Sequence, residues 1–293
     1  MPLPNDVLVS IGLPVYNGEE VLEAVVRSVL AQDHENIELV ISDNASTDGT
    51  EKLCRTLAGT DTRISYHRQP ENVGILNNFM TAMRLASGTY FRWIGDDDAL
   101  APGYVSRCLD AFRADERCIL VTTQVGYVGA DGRTQTASYD GVALSSDDPI
   151  VRFEELLRLL NESHLLIDPL YGLMRRETVL AIPRRNMLRE DEVFAGKLAL
   201  AGPWGHVPEV LAERHWKYER LPKLARRLDV PSWQARTALL LQCRELLRWL
   251  PQADLTPEQR RRARAAVARL YLGRHRRTIA RRGRRLVSLV GVR

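Results

Sequence analysis

Along the first 125 residues, short β-branched runs alternate with segments of helical periodicity, and this alternation leaves few architectures open. Val7–Val15, Ile37–Ser42, Ile64–Arg68, Tyr90–Ile94 and Ile119–Val125 are too brief for helices and read as buried strands. Between the first two, Glu19–Gln32 puts Val21, Leu22, Val25, Val26, Val29 and Leu30 on one helical stripe. Thr47–Ala58, with Ser46 or Thr47 as its cap, and Ile75–Ala86 read as further helices. Pro102–Phe112, with proline near its first turn, reads as another. Strands joined through helices of this length imply right-handed crossovers, so the expected fold is α/β with a doubly wound, mostly parallel sheet. Such sheets bind ligands beyond the carboxyl ends of their strands.

The polar residues gather at that end. Pro14-Val15-Tyr16-Asn17-Gly18 follows the first strand, Asp43-Asn44-Ala45-Ser46-Thr47-Asp48-Gly49-Thr50 the second, and Gly95-Asp96-Asp97-Asp98 the fourth. Tyr16 can stack on a base, although the same pentapeptide also makes a serviceable turn. Asp43 can accept hydrogen bonds from a base N–H or a ribose hydroxyl. Three consecutive carboxylates repel one another, and a hard divalent cation relieves the repulsion. Mg²⁺ or Mn²⁺ is typically held by one or two carboxylates and completed by substrate phosphate oxygens. The plainer reading of Asp96, Asp97 and Asp98 is a solvated acidic turn ahead of the Pro102 helix. Further on, Arg189-Glu190-Asp191-Glu192 opens a helix, where acidic residues complement the macrodipole; a general base would also fit there. His215, within Glu213-Arg214-His215-Trp216, reads as structural or as a ligand. No GxGxxG follows the first strand and no GxxxxGK[ST] occurs, which removes the dinucleotide and P-loop readings.

Beyond residue 125 the pattern loosens. Gly126–Pro149 is polar and turn-rich, with a hairpin turn expected at Ala130-Asp131-Gly132. Phe153–Leu160 and Glu190–Ala201 read as helices, Tyr171–Arg175 as a strand and Trp204–Arg214 as extended. After Leu221-Pro222 the chain turns helical. Ser232–Leu250 carries one stripe of Leu239, Leu240, Cys243, Leu246, Leu247 and Leu250. Thr256-Pro257-Glu258-Gln259 is a capping-box pattern opening a helix toward Arg282. Charge divides at the same place. From Arg220 to Arg293, 20 Lys/Arg face 4 Asp/Glu, whereas the preceding 219 residues carry a net −12 within an overall +4. The expected organisation is therefore an α/β body, 1–219, and a basic helical region, 220–293.

Composition excludes several classes. At 45% hydrophobic and 27% charged, the 293 residues match an ordinary globular chain, not a disordered one or a disulfide scaffold. No apolar run approaches the roughly 18 residues of a spanning helix. Met1–Asp6 has no signal-peptide character, and Cys54, Cys108, Cys118 and Cys243 show no CxxC spacing. Reduced, inert thiols and a cytoplasmic location are expected.

Pro-x-Tyr-Asn, Asp-Asn-x-Ser-x-Asp-Gly-Thr, Asn72-x-Gly74, a strand ending in an Asp cluster and a later Glu-Asp form one ordered series, from about Val7 to His215. This series resembles the family 2 glycosyltransferases, inverting enzymes with the Rossmann-like GT-A fold. The resemblance implies that 1–219 binds a nucleotide-diphosphate sugar and transfers its sugar to a hydroxyl on a sugar-bearing or lipid-linked acceptor, in glycan, polysaccharide or glycoconjugate synthesis. It implies a nucleotide site containing Pro14, Tyr16 and Asp43 at the base, with Asn17 and Asn72 beside them. The acidic cluster becomes the DxD-type motif for ribose and Mn²⁺ or Mg²⁺. Gly95 stands where the common Asp-x-Asp-Asp form has its first Asp, which leaves two assignments open. Either Asp96 and Asp98 form the pair, or Asp97 binds the metal with Asp96 toward the ribose. His215 falls near a position that meets metal or diphosphate, and Asp191 matches the catalytic base.

Two other readings use the same fold or ligands. A non-catalytic nucleotide-sugar-binding scaffold accommodates the departure at Gly95. A sugar-phosphate nucleotidylyltransferase needs a Gly-rich, basic loop after the first strand, which Pro14–Gly18 is not. The arginine-rich end, with apolar Leu286–Val290, suits either peripheral contact with anionic lipid at the inner face of a membrane or packing on the acidic body. No nucleic-acid partner is expected, because no binding module accompanies the charge.

Overall fold

Every side chain of β1 (Val9–Val15) is buried, because this strand lies inside the sheet with helices over both faces. The computed structural model describes residues 6–163, 166–215 and 219–290, with side chains described through 276. Around β1, the strands β2 (Ile37–Asp43), β3 (Ile64–Arg68) and β4 (Tyr90–Trp93) pair in parallel in the order 3-2-1-4. They are linked by α1 (Leu22–Leu30), α2 (Thr50–Thr60) and α3 (Ile75–Leu85).

After β4 the sheet becomes mixed. A two-residue β5 (Ala99–Leu100) leads into α4 (Tyr104–Ala114) and β6 (Leu120–Val128), and the hairpin partner β7 (Thr134–Gln135) returns on β6. The turn falls at the expected Asp131-Gly132, with Gly132 at φ 74. Next come α5 (Pro149–Glu162), β8 (Leu173–Arg175), α6 (Arg176–Leu180), α7 (Glu190–Ala201) and β9 (Trp204–His215). The full order is β3-β2-β1-β4-β8-β6-β9-β5. β8 inserts antiparallel between β4 and β6, so the fifth expected strand does not touch the fourth. The antiparallel pairings join two residues each, while the parallel ones carry the long registers, which is the predominantly parallel sheet expected.

Alternation along the strands divides the core. Val9, Ile11 and Leu13 pack toward α1, α2 and α4, meeting Val25, Val29, Cys54, Leu109 and Phe112. Val40, Phe91 and Trp93 face the other way, toward Met83 of α3, Leu156 of α5 and Phe194 and Leu198 of α7. Each such side chain, fully buried, contributes about 1.5–3 kcal/mol. Gly12 belongs to this arrangement, since a Cβ there would lie 2.5 Å from the Phe91 ring on the neighbouring strand.

Two helix starts differ from expectation. α1 begins at Leu22, and Val21 is 41% exposed at its N-cap instead of on the buried stripe. α2 begins at Thr50, and neither Ser46 nor Thr47 caps it: Asp48 Oδ1 accepts from the Thr50 N–H, and Ser46 and Thr47 bond to Asn17. The turn chemistry of this loop serves the neighbouring loop, which local pattern alone does not reveal.

The C-terminal helices are α8 (Leu221–Arg227), α9 (Gln234–Trp249) and α10 (Pro257–Val290). α9 and α10 share an apolar cluster with α5 and α7, in which Cys243, Leu246, Leu250, Ala263, Val267 and Leu270 meet Phe153, Leu157 and Val193. Thr256 and Gln259 bond reciprocally as a capping box at the start of α10. The stripe on α9 is narrower than expected, because Leu240 and Leu247 stand 57% and 41% exposed. The arginines from Arg277 onward and Leu286–Val290 lie outside the residues with described side chains. All four cysteines are free and buried. Burial pushes the thiols of Cys54, Cys108 and Cys118 up to about 12 and that of Cys243 to about 11, which makes them unreactive near neutrality. Among the described residues, no helix is long and apolar enough to cross a membrane.

Candidate active site

The loops following β1, β2 and β3 are fastened to one another by side chains. Asn17, in a left-handed conformation at φ 57, donates its backbone N–H to Ser46 Oγ (2.9 Å) and accepts from the Thr47 N–H at Oδ1 (2.8 Å). The Gly18 N–H donates to Thr50 Oγ1, and Glu19 Oε2 accepts from the Gly49 N–H. Asn44 Nδ2 donates to Asn72 Oδ1 (2.9 Å), while Asn44 Oδ1 accepts from the Val73 N–H (2.8 Å). Pro14 is buried at the end of β1, and Tyr16 beside it is 45% exposed. Asp43 is fully buried; it accepts from the Ser46 N–H (2.9 Å) and from the Tyr66 hydroxyl (2.7 Å). Asn17, Asn72 and Asp43 thus shape this rim through bonds within the protein.

The acidic loop adjoins the rim. A Cβ on Gly18 would lie 3.9 Å from the Asp96 side chain, which places Asp96 against the first loop. Asp96 and Asp97 are half-buried, whereas Asp98 is 3% exposed. Asp98 Oδ2 accepts from the Gly95 N–H (3.1 Å) and from Arg214 Nε (3.0 Å). This accounts for Gly95, because a Cβ there would lie 2.8 Å from that same Asp98 oxygen. The glycine and the inward turn of Asp98 are one feature.

The pairing of β5 with the end of β9, Ala99 opposite Glu213, brings Arg214 and His215 alongside the loop. Arg214 bridges Asp98 and Asp168, and its guanidinium stacks 3.6 Å from the centroid of the Tyr171 ring. Pattern reading missed all three of Arg214, Asp168 and Tyr171. Arg214 stands in the segment read for His215, Tyr171 precedes β8 at the start of the expected strand, and Asp168 carries no local signal.

His215 is exposed, with Nδ1 2.5 Å from the Asp97 carbonyl oxygen. A carbonyl only accepts, so Nδ1 carries a proton, and in the neutral ring Nε2 presents its lone pair. That tautomer is the one that ligates a metal through Nε2. Among the described residues no three His, Cys, Asp or Glu side chains form a metal cage. An ion held by Asp97 and His215 would draw its remaining ligands from substrate oxygens and water, as Mg²⁺ and Mn²⁺ commonly do.

Asp191 lies in the first turn of α7 between two other acids, and the three differ in their surroundings. Glu190 is paired with Arg184 (2.5 Å), a contact almost shielded from solvent. Glu192 is paired with Arg189 and Arg274, both at 2.6 Å. Among the described residues Asp191 has no cationic partner. Asp191 itself is exposed, while desolvation by the protein packed around it, followed by the charges of Glu192 and Glu190, lifts its carboxyl to about 6. The Asp168 charge is the smallest contributor to that same rise, and it links Asp191 to the cluster that Arg214 joins to Asp98. A carboxyl raised toward neutrality, an acidic loop and a hydrogen-bonded rim are thus linked through Asp168 and Arg214.

The family model described as glycosyl transferase family 2 matches residues 10–180, which takes in the rim and the acidic loop but not Asp191, Arg214 or His215. The chain is 42% identical over 97 residues to the abequosyltransferase RfbV of Salmonella typhimurium, covering 32% of this chain and 29% of that protein. It is 33% identical over 133 residues to a chondroitin synthase of Escherichia coli, covering 45% of this chain and 19% of the other. The chain therefore spans less than a third of the length of these curated relatives. Among solved structures, Staphylococcus aureus TarS 1–349 in complex with UDP-GlcNAc aligns with a TM-score of 0.64 at 15% identity, over 90% of this chain and 72% of that one. The Pyrobaculum calidifontis mannosyltransferase PcManGT, in complex with GDP-Man and Mn²⁺, aligns at 0.53 with 20% identity, over 90% and 69%. These likenesses establish the fold, including its helical C-terminal region.

Proposed function

Because this chain belongs to glycosyl transferase family 2, we propose that it transfers a sugar, with inversion, from a nucleoside-diphosphate donor seated across the ends of β1, β2 and β4. The observation that carries this reading is the isolation of Asp191. It alone of three consecutive acids lacks a cation among the described residues, and its carboxyl is lifted to about 6 with a contribution from Asp168, which Arg214 ties to Asp98. Near pH 7 such a group is mostly ionised and still basic enough to take the proton of an acceptor hydroxyl as attack proceeds. With the diphosphate leaving from the opposite side of the sugar, displacement is in line and inverts the anomeric centre.

The donor reading rests on the rim. Exposed Tyr16 offers a face for the base, with Pro14 beside it. Asp43 takes two internal hydrogen bonds and lies 3.8 Å from Arg68 Nε, and a remaining lone pair of its carboxylate would accept from the base edge. Asn17 and Asn72 hold the loops that border the nucleotide. Asp98 is committed to Arg214 and Gly95, which favours Asp96 toward the ribose and Asp97 with His215 as holders of Mn²⁺ or Mg²⁺. When bound, that ion supplies charge neutralisation for the leaving diphosphate. Two relatives are named for polysaccharide synthesis, a chondroitin synthase and a putative teichuronic acid biosynthesis glycosyltransferase, and a sugar-bearing or lipid-linked acceptor follows for this chain.

Screening UDP-, GDP- and dTDP-sugars with Mn²⁺ is expected to reveal slow hydrolysis of one donor. The Asp97→Ala variant should lose Mn²⁺-dependent donor binding by at least about tenfold. Binding of a donor without any turnover, even with acceptor extracts present, would argue against the reading. Undiminished metal-dependent binding by Asp97→Ala would reassign the metal site.

Peripheral contact with anionic lipid is supported by the outward face of α9, where Trp233, Leu240 and Leu247 recur every seven residues and stand exposed. Arg236 and Arg244 share that exposed side and form no ion pair among the described residues. Cosedimentation with anionic vesicles is expected to fall sharply in a Trp233→Ser, Leu240→Ser double variant and at high salt. Equal binding to neutral vesicles would oppose an electrostatic anchor.

A further inference from the structure

One arginine of the basic C-terminal region reaches the first turn of α7. Arg274 Nη2 pairs with Glu192 Oε2 at 2.6 Å, and its guanidinium also donates to the Leu160 carbonyl (2.7 Å), Gln242 Oε1 (3.2 Å) and Asn161 Oδ1 (3.3 Å). Gln242 is fully buried and completes the junction by donating Nε2 to Glu192 at 2.9 Å. Arg189 donates to the other oxygen of Glu192 at 2.6 Å. Four helices, α5, α7, α9 and α10, thus meet at one guanidinium that is itself only 15% exposed.

We infer that Arg274 is a positioning residue for Asp191, through which the C-terminal helices set the place and the proton affinity of the catalytic base. This rests on the reading of Asp191 given above. The physical reason is adjacency. Glu192 follows Asp191 in the chain and is one of the like charges that raise its carboxyl. Two cations and an amide hold the Glu192 carboxylate turned into the helix junction and offset its charge. The remaining charged groups facing Asp191 are Glu190, neutralised by Arg184, and Asp168, shared with Arg214. Among the described residues Arg274 is the one charged member of this set contributed from beyond residue 220.

The sign of the coupling is definite. Removing the Arg274 charge leaves Glu192 less compensated, so Asp191 should bind its proton more tightly. Removing the Glu192 charge leaves Arg189 and Arg274 uncompensated, so Asp191 should release its proton more readily. The test is the pH profile of kcat for donor hydrolysis by the full chain. Arg274→Gln should move the acid limb upward by about 0.5 pH unit and Glu192→Gln should move it downward by a similar amount. Arg274→Lys restores charge but not the fourfold hydrogen bonding, so its limb should return toward that of the parent while its thermal midpoint stays lowered. If Arg274→Gln does not fold, the opposite shift in Glu192→Gln and the parent-like limb in Arg274→Lys still decide the matter. An acid limb unmoved in Glu192→Gln and Arg274→Gln, with loss of stability alone, would overturn the inference. Full activity in Asp191→Asn would instead overturn the underlying assignment of the base, so the two failures are distinct.

Discussion

Asp191→Asn is expected to lower turnover by about 10²–10⁴-fold while donor affinity stays near that of the parent chain. The amide keeps the shape of the carboxylate but cannot accept the acceptor's proton, so the loss should fall on kcat. Donor affinity is measured by titration with nucleoside diphosphate and Mn²⁺, and turnover by release of the diphosphate. The same substitution should stabilise the fold at pH 8. A carboxyl raised from 3.8 to about 6 in the folded chain prefers its neutral form there, so ionised Asp191 destabilises the native state above about pH 6. That penalty fades as pH falls and is gone below the unfolded value of 3.8. The thermal midpoint of Asp191→Asn should therefore exceed the parent's at pH 8 and match it near pH 3.5. A variant with parental turnover, or one whose stability gain did not depend on pH, would contradict this account. Activity and stability pull in opposite directions at this residue.

Arg214→Gln should produce the largest loss of stability. The guanidinium bridges Asp98 and Asp168 and lies over Tyr171, and the Asp98 side chain is only 1% exposed. Without it, two acids face each other with one of them out of water, at a cost of about 3 kcal/mol. Urea titration should show a lower midpoint, and donor binding should weaken as well, since Asp98 anchors the loop that carries Asp96 and Asp97. Adding Asp98→Asn should recover part of the loss, because an amide oxygen still accepts from the Gly95 N–H and carries no charge to leave unpaired. Unchanged urea midpoints in Arg214→Gln would show that the bridge contributes little.

Legibility in the sequence followed the range of the interactions involved. The first four strands and their helices are written in local periodicity, and the polar residues collect at the strand ends where such a sheet binds ligands. The capping box at Thr256 and the turn at Gly132 likewise depend on neighbours in the chain. What could not be read depends on partners far away. β8 is three residues long and gains its place from pairing with β4 and β6, not from any pattern of its own. The roles of Arg214, Asp168 and Tyr171 arise only when β5 meets β9. Ser46 and Thr47 look like helix caps until Asn17, about 30 residues away, takes their hydrogen bonds. Asp191 could be proposed from the sequence, but its isolation from cations could not, because Arg274 lies 83 positions along the chain.

The cross-stitching of the first three loops bears on how base preference can change. Asn17 satisfies Thr47, Asn44 satisfies Val73, and Asn72 satisfies both Asn44 and the Gly74 N–H. Grafting one of these segments from another protein would strand donors and acceptors in the other two. On the donor site proposed above, nucleotide selectivity would be inherited as a block, and an engineer seeking a new donor would have to transplant the three segments together.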